Sequence, residues 1–137
     1  MMNDYINIEN NEDIIMFKEK ASSFYDSVLK EIHYESGSTR DHESNSLHPF
    51  DTLAEVKMIF ESQCNKGKII ELIFEHIERL NLVPTSLNYD SLFENPSIFF
   101  CENFIYFSRY ENDVLKLGES SCENTWLKAK NAKYIIK

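Results

Sequence analysis

The sequence predicts an α+β domain in which one N-terminal helix packs on a curved, mainly antiparallel sheet of six to seven strands. Three observations lead there. Apolar residues near the N-terminus recur at helical spacing, and several later segments alternate apolar and polar residues with a period of two. Only three Gly and three Pro interrupt 137 residues, of which 42% are hydrophobic and 13% aromatic. That length and composition describe residues 1–137 as one packed domain rather than a disordered or fibrous chain.

Residues 1–10 are polar and are expected to fray. From Asn11 onward, Ile14, Phe17, Ala21 and Phe24 share a helical face, and Glu12 and Asp13 fall in the first turn, where carboxylates suit the helix dipole. Asn10 or Asn11 supplies the N-cap, giving a helix over 11–23. The period then changes. Val28, Ile32 and Tyr34 alternate with Leu29, Glu31, His33 and Glu35 in a strand that ends at Ser36-Gly37-Ser38. Residues 36–51, rich in Ser, Asn, Asp and His, read as a mobile loop. Ala54, Val56, Met58 and Phe60 then alternate with Glu55, Lys57 and Glu61. Across a turn at Asn65-Lys66-Gly67, Ile70, Leu72 and Phe74 alternate with Glu71 and Glu75, which makes a hairpin with one wet face. Ile77, Leu80 and Leu82 extend the pattern to Pro84, and residues 85–96 read as loop.

Ile98-Phe99-Phe100-Cys101 and Phe104-Ile105-Tyr106-Phe107, joined by Glu102-Asn103, form the strongest hairpin signal. Unlike the earlier strands, this hairpin is apolar on both faces. Because an antiparallel sheet normally leaves one face wet, part of this surface is expected to make an apolar contact through Phe99, Ile105 and Phe107. The contact would be with a second copy of the chain or with a partner protein. A second polar loop, 108–123, leads to a final strand over 125–136 that contains Trp126, Leu127, Ala129, Tyr134 and Ile135.

The formal charge is −9, and it is uneven. Residues 1–51 carry eleven acids against four bases, a net of −7, and the remainder twelve against ten. This balance argues against nucleic acid, which needs a cationic footprint, and favours a basic protein partner. Cys64, Cys101 and Cys122 form no Cys-x-x-Cys pair and read as reduced thiols of a cytoplasmic protein, with Cys101 a small core residue. Asp4, Glu9, Glu12 and Asp13 leave no room for a secretory leader in the first twenty residues, and no apolar run reaches the length of a membrane span.

Candidate chemistry is sparse. His42 and His48 share the polar loop with Asp41, Glu43 and Asp51, but nothing there provides the rigid frame that a metal site requires, so the loop reads as solvated. His33 beside Glu31 and Glu35, and His76 beside Glu75, have no nucleophile to serve and read as surface residues. Glu55, Glu61, Glu71 and Glu75 line one face of a hairpin in the manner of a solvated sheet face rather than a glycosidase pair, given Lys57 and Lys68 among them. No phosphate loop, nucleophile elbow, zinc motif or other cofactor signature occurs.

One resemblance runs across scattered positions. Phe24-Tyr25-Asp26-Ser27 followed by Glu31-Ile32-His33-Tyr34 resembles the opening of certain small uncharacterised bacterial proteins. Phe74 to Leu82 is similar to one of their strands, and Phe104-Ile105-Tyr106-Phe107 to one of their hairpins. Tyr25 stands where they have His, so no role at that position is carried over. Some of these proteins look like immunity proteins, which bind and neutralise a cognate toxin. The resemblance brings no catalytic residue and implies a protein-binding module. The alternatives from the residues alone are a small enzyme or ligand-binding protein with a pocket between helix and sheet, and a self-associating structural protein.

Overall fold

The chain enters the sheet before it forms its helix. In the computed structural model, which describes residues 4–24, 26–49, 53–63, 69–85, 87, 91–93, 96–110 and 124–137, β1 (Ile6–Ile8) pairs antiparallel with a far strand, Ile8 facing Ala132 and Ile6 facing Tyr134. The expected fraying of residues 1–10 is therefore corrected for those described. Three residues are too few to show a period, and the partner that orders them lies at the other end of the sequence.

Helix α1 (Asn11–Lys20) starts where the sequence places it. Asn10 Oδ1 accepts from the Asp13 N–H at 2.9 Å, and the Asp13 carboxylate reaches back to the Glu9 N–H at 2.9 Å, so two otherwise orphaned donors are satisfied. The helix stops at Lys20, short of the predicted 23. Ser22 (φ 52°) and Phe24 (φ 61°) adopt the left-handed region in a tight 3-10 turn over Ser22–Phe24. That turn drives the Phe24 ring into the core, against Phe17 at 5.4 Å and a second ring, Phe60, at 5.0 Å.

The strands that follow are β2 (Ser27–Glu35), β3 (Thr39–Arg40), β4 (Leu47–His48), β5 (Glu55–Ser62), β6 (Ile69–Asn81), β7 (Leu92–Phe93), β8 (Ser97–Cys101), β9 (Phe104–Ser108) and β10 (Trp126–Ile136). The main sheet runs β7-β2-β5-β6-β10-β9-β8, with β1 beside the C-terminal half of β10 where β9 leaves off. Every pairing is antiparallel, and the sheet curls into a half-barrel with α1 packed on it. Two bulges help the curl. Lys30 is an extra residue in β2, between the pairs Leu29/Phe60 and Glu31/Ile59, and Glu78 is an extra residue in β6, between Ile77/Ala129 and Arg79/Lys128.

Two predicted loops contain strands. Within 36–51, β3 and β4 form a small exposed hairpin, closed by the Asp41 carboxylate accepting from Glu43 N–H at 2.9 Å and by Asn45 at φ 62°. Within 85–96, β7 pairs with the first residues of β2. Both were hidden because two-residue strands carry no alternation. The predicted turn at 65–67 and most of the 108–123 loop lie outside the described residues, as do Cys64 and Cys122.

The concave face holds the core. Val56, Met58, Phe60, Ile70, Leu72, Phe74, Ile105, Phe107 and Leu127 have no exposed surface, and edge-on or tilted rings link Phe17, Phe24, Phe60 and Phe107 across it. Phe17 sits 4.4 Å from Tyr134 and fixes the helix to β10. The β8–β9 hairpin turns at Glu102 (φ 51°) and Asn103 (φ 70°), the pair of positive φ angles that suits a two-residue turn. Its inner side chains join this core. Its outer ones are covered by a separate aromatic stack: Phe99 lies on Tyr106 at 5.0 Å, Tyr106 on Trp126 at 6.5 Å, and the Lys128 ammonium sits 4.3 Å above Phe104. Cys101, expected in the core, is exposed at the tip of this outer side opposite Phe104.

Because Phe17 bridges helix and sheet, Phe17→Ala is expected to lower stability by about 3–5 kcal/mol in chemical denaturation. A loss below about 1 kcal/mol would show that the helix contributes little to the core.

Candidate functional site

On the convex face, the antiparallel register of β2, β5, β6 and β10 sorts the side chains into transverse rows. One row runs Glu31, Ile59, Glu71, Ile135, and the next His33, Lys57, Ile73, Lys133. The third is Glu35, Glu55, Glu75, Asn131. Three carboxylates thus stand directly opposite one another on adjacent strands, an arrangement that repulsion disfavours. Lys133, 3.7 Å from Glu75, is the only cation within ion-pair distance of the row among the described residues.

The end of this row is shaped by two unusual backbones. Gly37 (φ 84°) passes so close to Leu53 that a Cβ would lie 2.9 Å from the Leu53 N and O, so any side chain would force β2 and the entry to β5 apart. His76 takes φ 56° within β6, immediately after Glu75, and the following Ile77 N–H bonds to the Ala54 carbonyl at 3.1 Å. Between these features Glu35, Glu55, Glu75, His76 and Leu53 line a shallow hollow of about 220 Å³.

Glu71, one of the four carboxylates expected on a wet face, is instead 8% exposed. Its oxygens accept from Lys137 Nζ at 2.9 Å and from the Tyr5 hydroxyl at 2.8 Å. Burial opposes its ionisation, but the hydrogen bonds from Lys137 and Tyr5 and the charges of Lys137 and Lys57 outweigh that, and the carboxyl is held below its usual value. The hydrogen bond to Glu71, then burial and the nearby carboxylate charges, push the Tyr5 phenol up to about 12. Neither partner was visible in the sequence, since Tyr5 and Lys137 meet Glu71 only through the pairings of β1 and β6 with β10. Glu61 forms an exposed pair with Lys30 at 2.9 Å, and His33 lies 3.2 Å from Glu31.

The three expected contact residues fall on opposite faces. Ile105 and Phe107 are wholly buried in the main core and offer no surface, whereas Phe99 is half-buried in the outer aromatic stack. The alternation showed that the hairpin has two apolar sides without showing which one faces inward. His42 and His48 are exposed on the small hairpin. Among the described residues, no three His, Cys, Asp or Glu side chains are arranged to hold a metal ion. The Glu35–Glu55–Glu75 row is where the convex face concentrates negative charge, while Lys57 and Lys133 occupy the row beside it.

Two outcomes follow. Glu71→Gln should lose about 1.5–3 kcal/mol at neutral pH, the range for hydrogen bonds to a charged group. The sign is set by the two shifts. The Glu71 contribution is present above the unfolded carboxyl value and fades as pH falls through the lower folded one, while the Tyr5 contribution is present below pH 10 and fades as pH rises toward about 12. The variant's stability profile should therefore be flatter than the wild type's at both ends. Phe107→Glu should abolish folding by circular dichroism because it buries a charge, whereas Phe99→Glu should remain folded. Comparison with protein-family models, with curated proteins and with solved structures finds no match to this chain.

Proposed function

We propose that this is a stoichiometric protein-binding module of a bacterial cytoplasm, immunity-like in role, that receives a basic protein on its acidic convex face. The observation that carries the reading is the Glu35–Glu55–Glu75 row. Opposed carboxylates on neighbouring strands destabilise the isolated protein, and a cationic partner seated across them relieves that repulsion. The net charge of −9 supports the same partner chemistry, because it attracts a basic protein from a distance and repels nucleic acid. The sequence resemblance to immunity-like proteins adds to this. Two of the segments that carry it, 24–34 and 74–82, overlap β2 and β6, which bear Glu35 and Glu75. The competing idea of a ligand pocket between helix and sheet is disfavoured by the rings of Phe17, Phe24, Phe60 and Tyr134, which fill that space.

The test is a triple variant, Glu35→Gln, Glu55→Gln, Glu75→Gln. Relief of the two opposed pairs should raise its stability by about 0.5–2 kcal/mol, while the partner that co-purifies with the wild type from the native host should be lost. Stability and binding moving in opposite directions is the signature of a charged docking face. A variant less stable than the wild type, or one that keeps its partner, would overturn the reading.

A further inference from the structure

Among the described residues, β2 is paired on one side along its whole length and on the other side only at its start. β5 accompanies it from Ser27 to Glu35, but β7 meets only Ser27 and Val28. Among the described residues no strand lies beside Leu29–Glu35. Alternate residues of this stretch aim their N–H and C=O groups away from β5, an open template for another extended chain.

The two sides of this edge differ in chemistry. Glu31, His33 and Glu35 project on the convex face, in register with Ile59, Lys57 and Glu55. Ile32 and Tyr34 project on the concave face, opposite the core residues Met58 and Val56. Ile32 is half-buried against the core, and Tyr34 is 56% exposed. We propose that the free edge of β2, residues 31–35 above all, accepts an extended segment of the basic partner by strand addition, and that this segment alternates cationic with apolar side chains. Backbone hydrogen bonds would join it to β2. Its Lys or Arg residues would lie against Glu31 and Glu35, continuing the acidic row, and its apolar residues would cover Ile32 and Tyr34. The Lys30 bulge, tied to Glu61 at 2.9 Å, marks the inner limit of the template.

A second copy of this chain fits poorly in the one antiparallel register that pairs all of residues 31–35 with themselves. Antiparallel pairing of two β2 edges about His33 sets Glu31 of one copy against Glu35 of the other, twice over, and like charges in that position repel. In that full-length register the edge repels its own kind, whereas Glu31 and Glu35 are both complementary to a basic strand. This inference rests on the acidic docking face proposed above and adds the manner in which the partner engages it.

The probes are four short capped peptides: one alternating Lys and Val, one of the same composition with its Lys and Val in separate blocks, the alternating peptide N-methylated at its central amides, and one alternating Glu and Val. Binding is followed by amide chemical shifts and by hydrogen exchange at low salt. The alternating Lys/Val peptide should slow exchange in residues 29–35 and bind at least about tenfold more tightly than the other three. Equal binding of the block or N-methylated peptide, or protection confined to β6 and β10, would overturn strand addition and leave the acidic docking face standing. Equal binding of the Glu/Val peptide would overturn the charge complementarity. No binding of any cationic peptide would remove both inferences. Concentration-dependent protection of 29–35 in the free protein would show that a second copy occupies the edge, and would refute the partner-strand proposal.

Discussion

The pairing of β6 with β10 is the interaction on which the rest of the molecule depends. These are the two longest strands, and they run side by side from Ile70/Ile136 to Asn81/Trp126. Each then offers its other edge to the remainder of the sheet. β6 carries β5 and through it β2, while β10 divides its edge between β9 at Trp126–Ala129 and β1 at Ala132–Tyr134. The helix is seated on the same pair, because Phe17 rests on Tyr134. The Glu78 bulge lies in this central ladder, so the bend it introduces is passed to the strands on both sides and helps make a half-barrel from a sheet that would otherwise only twist.

The same ladder explains why two carboxylates on one face of β6 have opposite fates. Glu71 and Glu75 are four residues apart and point the same way. Glu71 faces Ile135 and lies within reach of Lys137 and Tyr5, both brought in by the strands on its far side, so it is buried and ionised. Glu75 faces Asn131 and Glu55, and its one cation among the described residues, Lys133, stands off at 3.7 Å. A carboxylate with short, directed donors contributes to the fold. One held beside another carboxylate does the reverse, and stability alone gives no reason for its presence.

Periodicity made much of this architecture legible. Val56, Met58 and Phe60 alternating with Glu55, Lys57 and Glu61, and Ile70, Leu72 and Phe74 with Glu71 and Glu75, identify both strands and their inward faces, because burial on one side imposes a period of two. Asn10 with Asp13 marks the helix start through side-chain chemistry that is local in sequence. The features that were illegible depend on distant partners. β1, β7 and the β3–β4 pair are too short to alternate, and the end of α1 is decided by the left-handed turn that delivers Phe24 to Phe60. The acidic row was out of reach for a related reason. Glu55 and Glu75 could be placed on one face, but the entry of Glu35 into their line requires the register of β2 against β5, which the long polar connection between them leaves open.

The position of β1 has a consequence for how the protein is made. Residues 6–8 are synthesised before every other described strand, yet their strand partner among the described residues is 132–134, and the Phe17 ring of the next element rests on Tyr134 of that same strand. While β10 is still inside the exit tunnel, β6 has one bare edge and α1 lacks its contact with Tyr134. The nascent chain therefore remains an unfinished sheet until β10 has emerged, and the native structure closes through contacts between segments far apart in sequence.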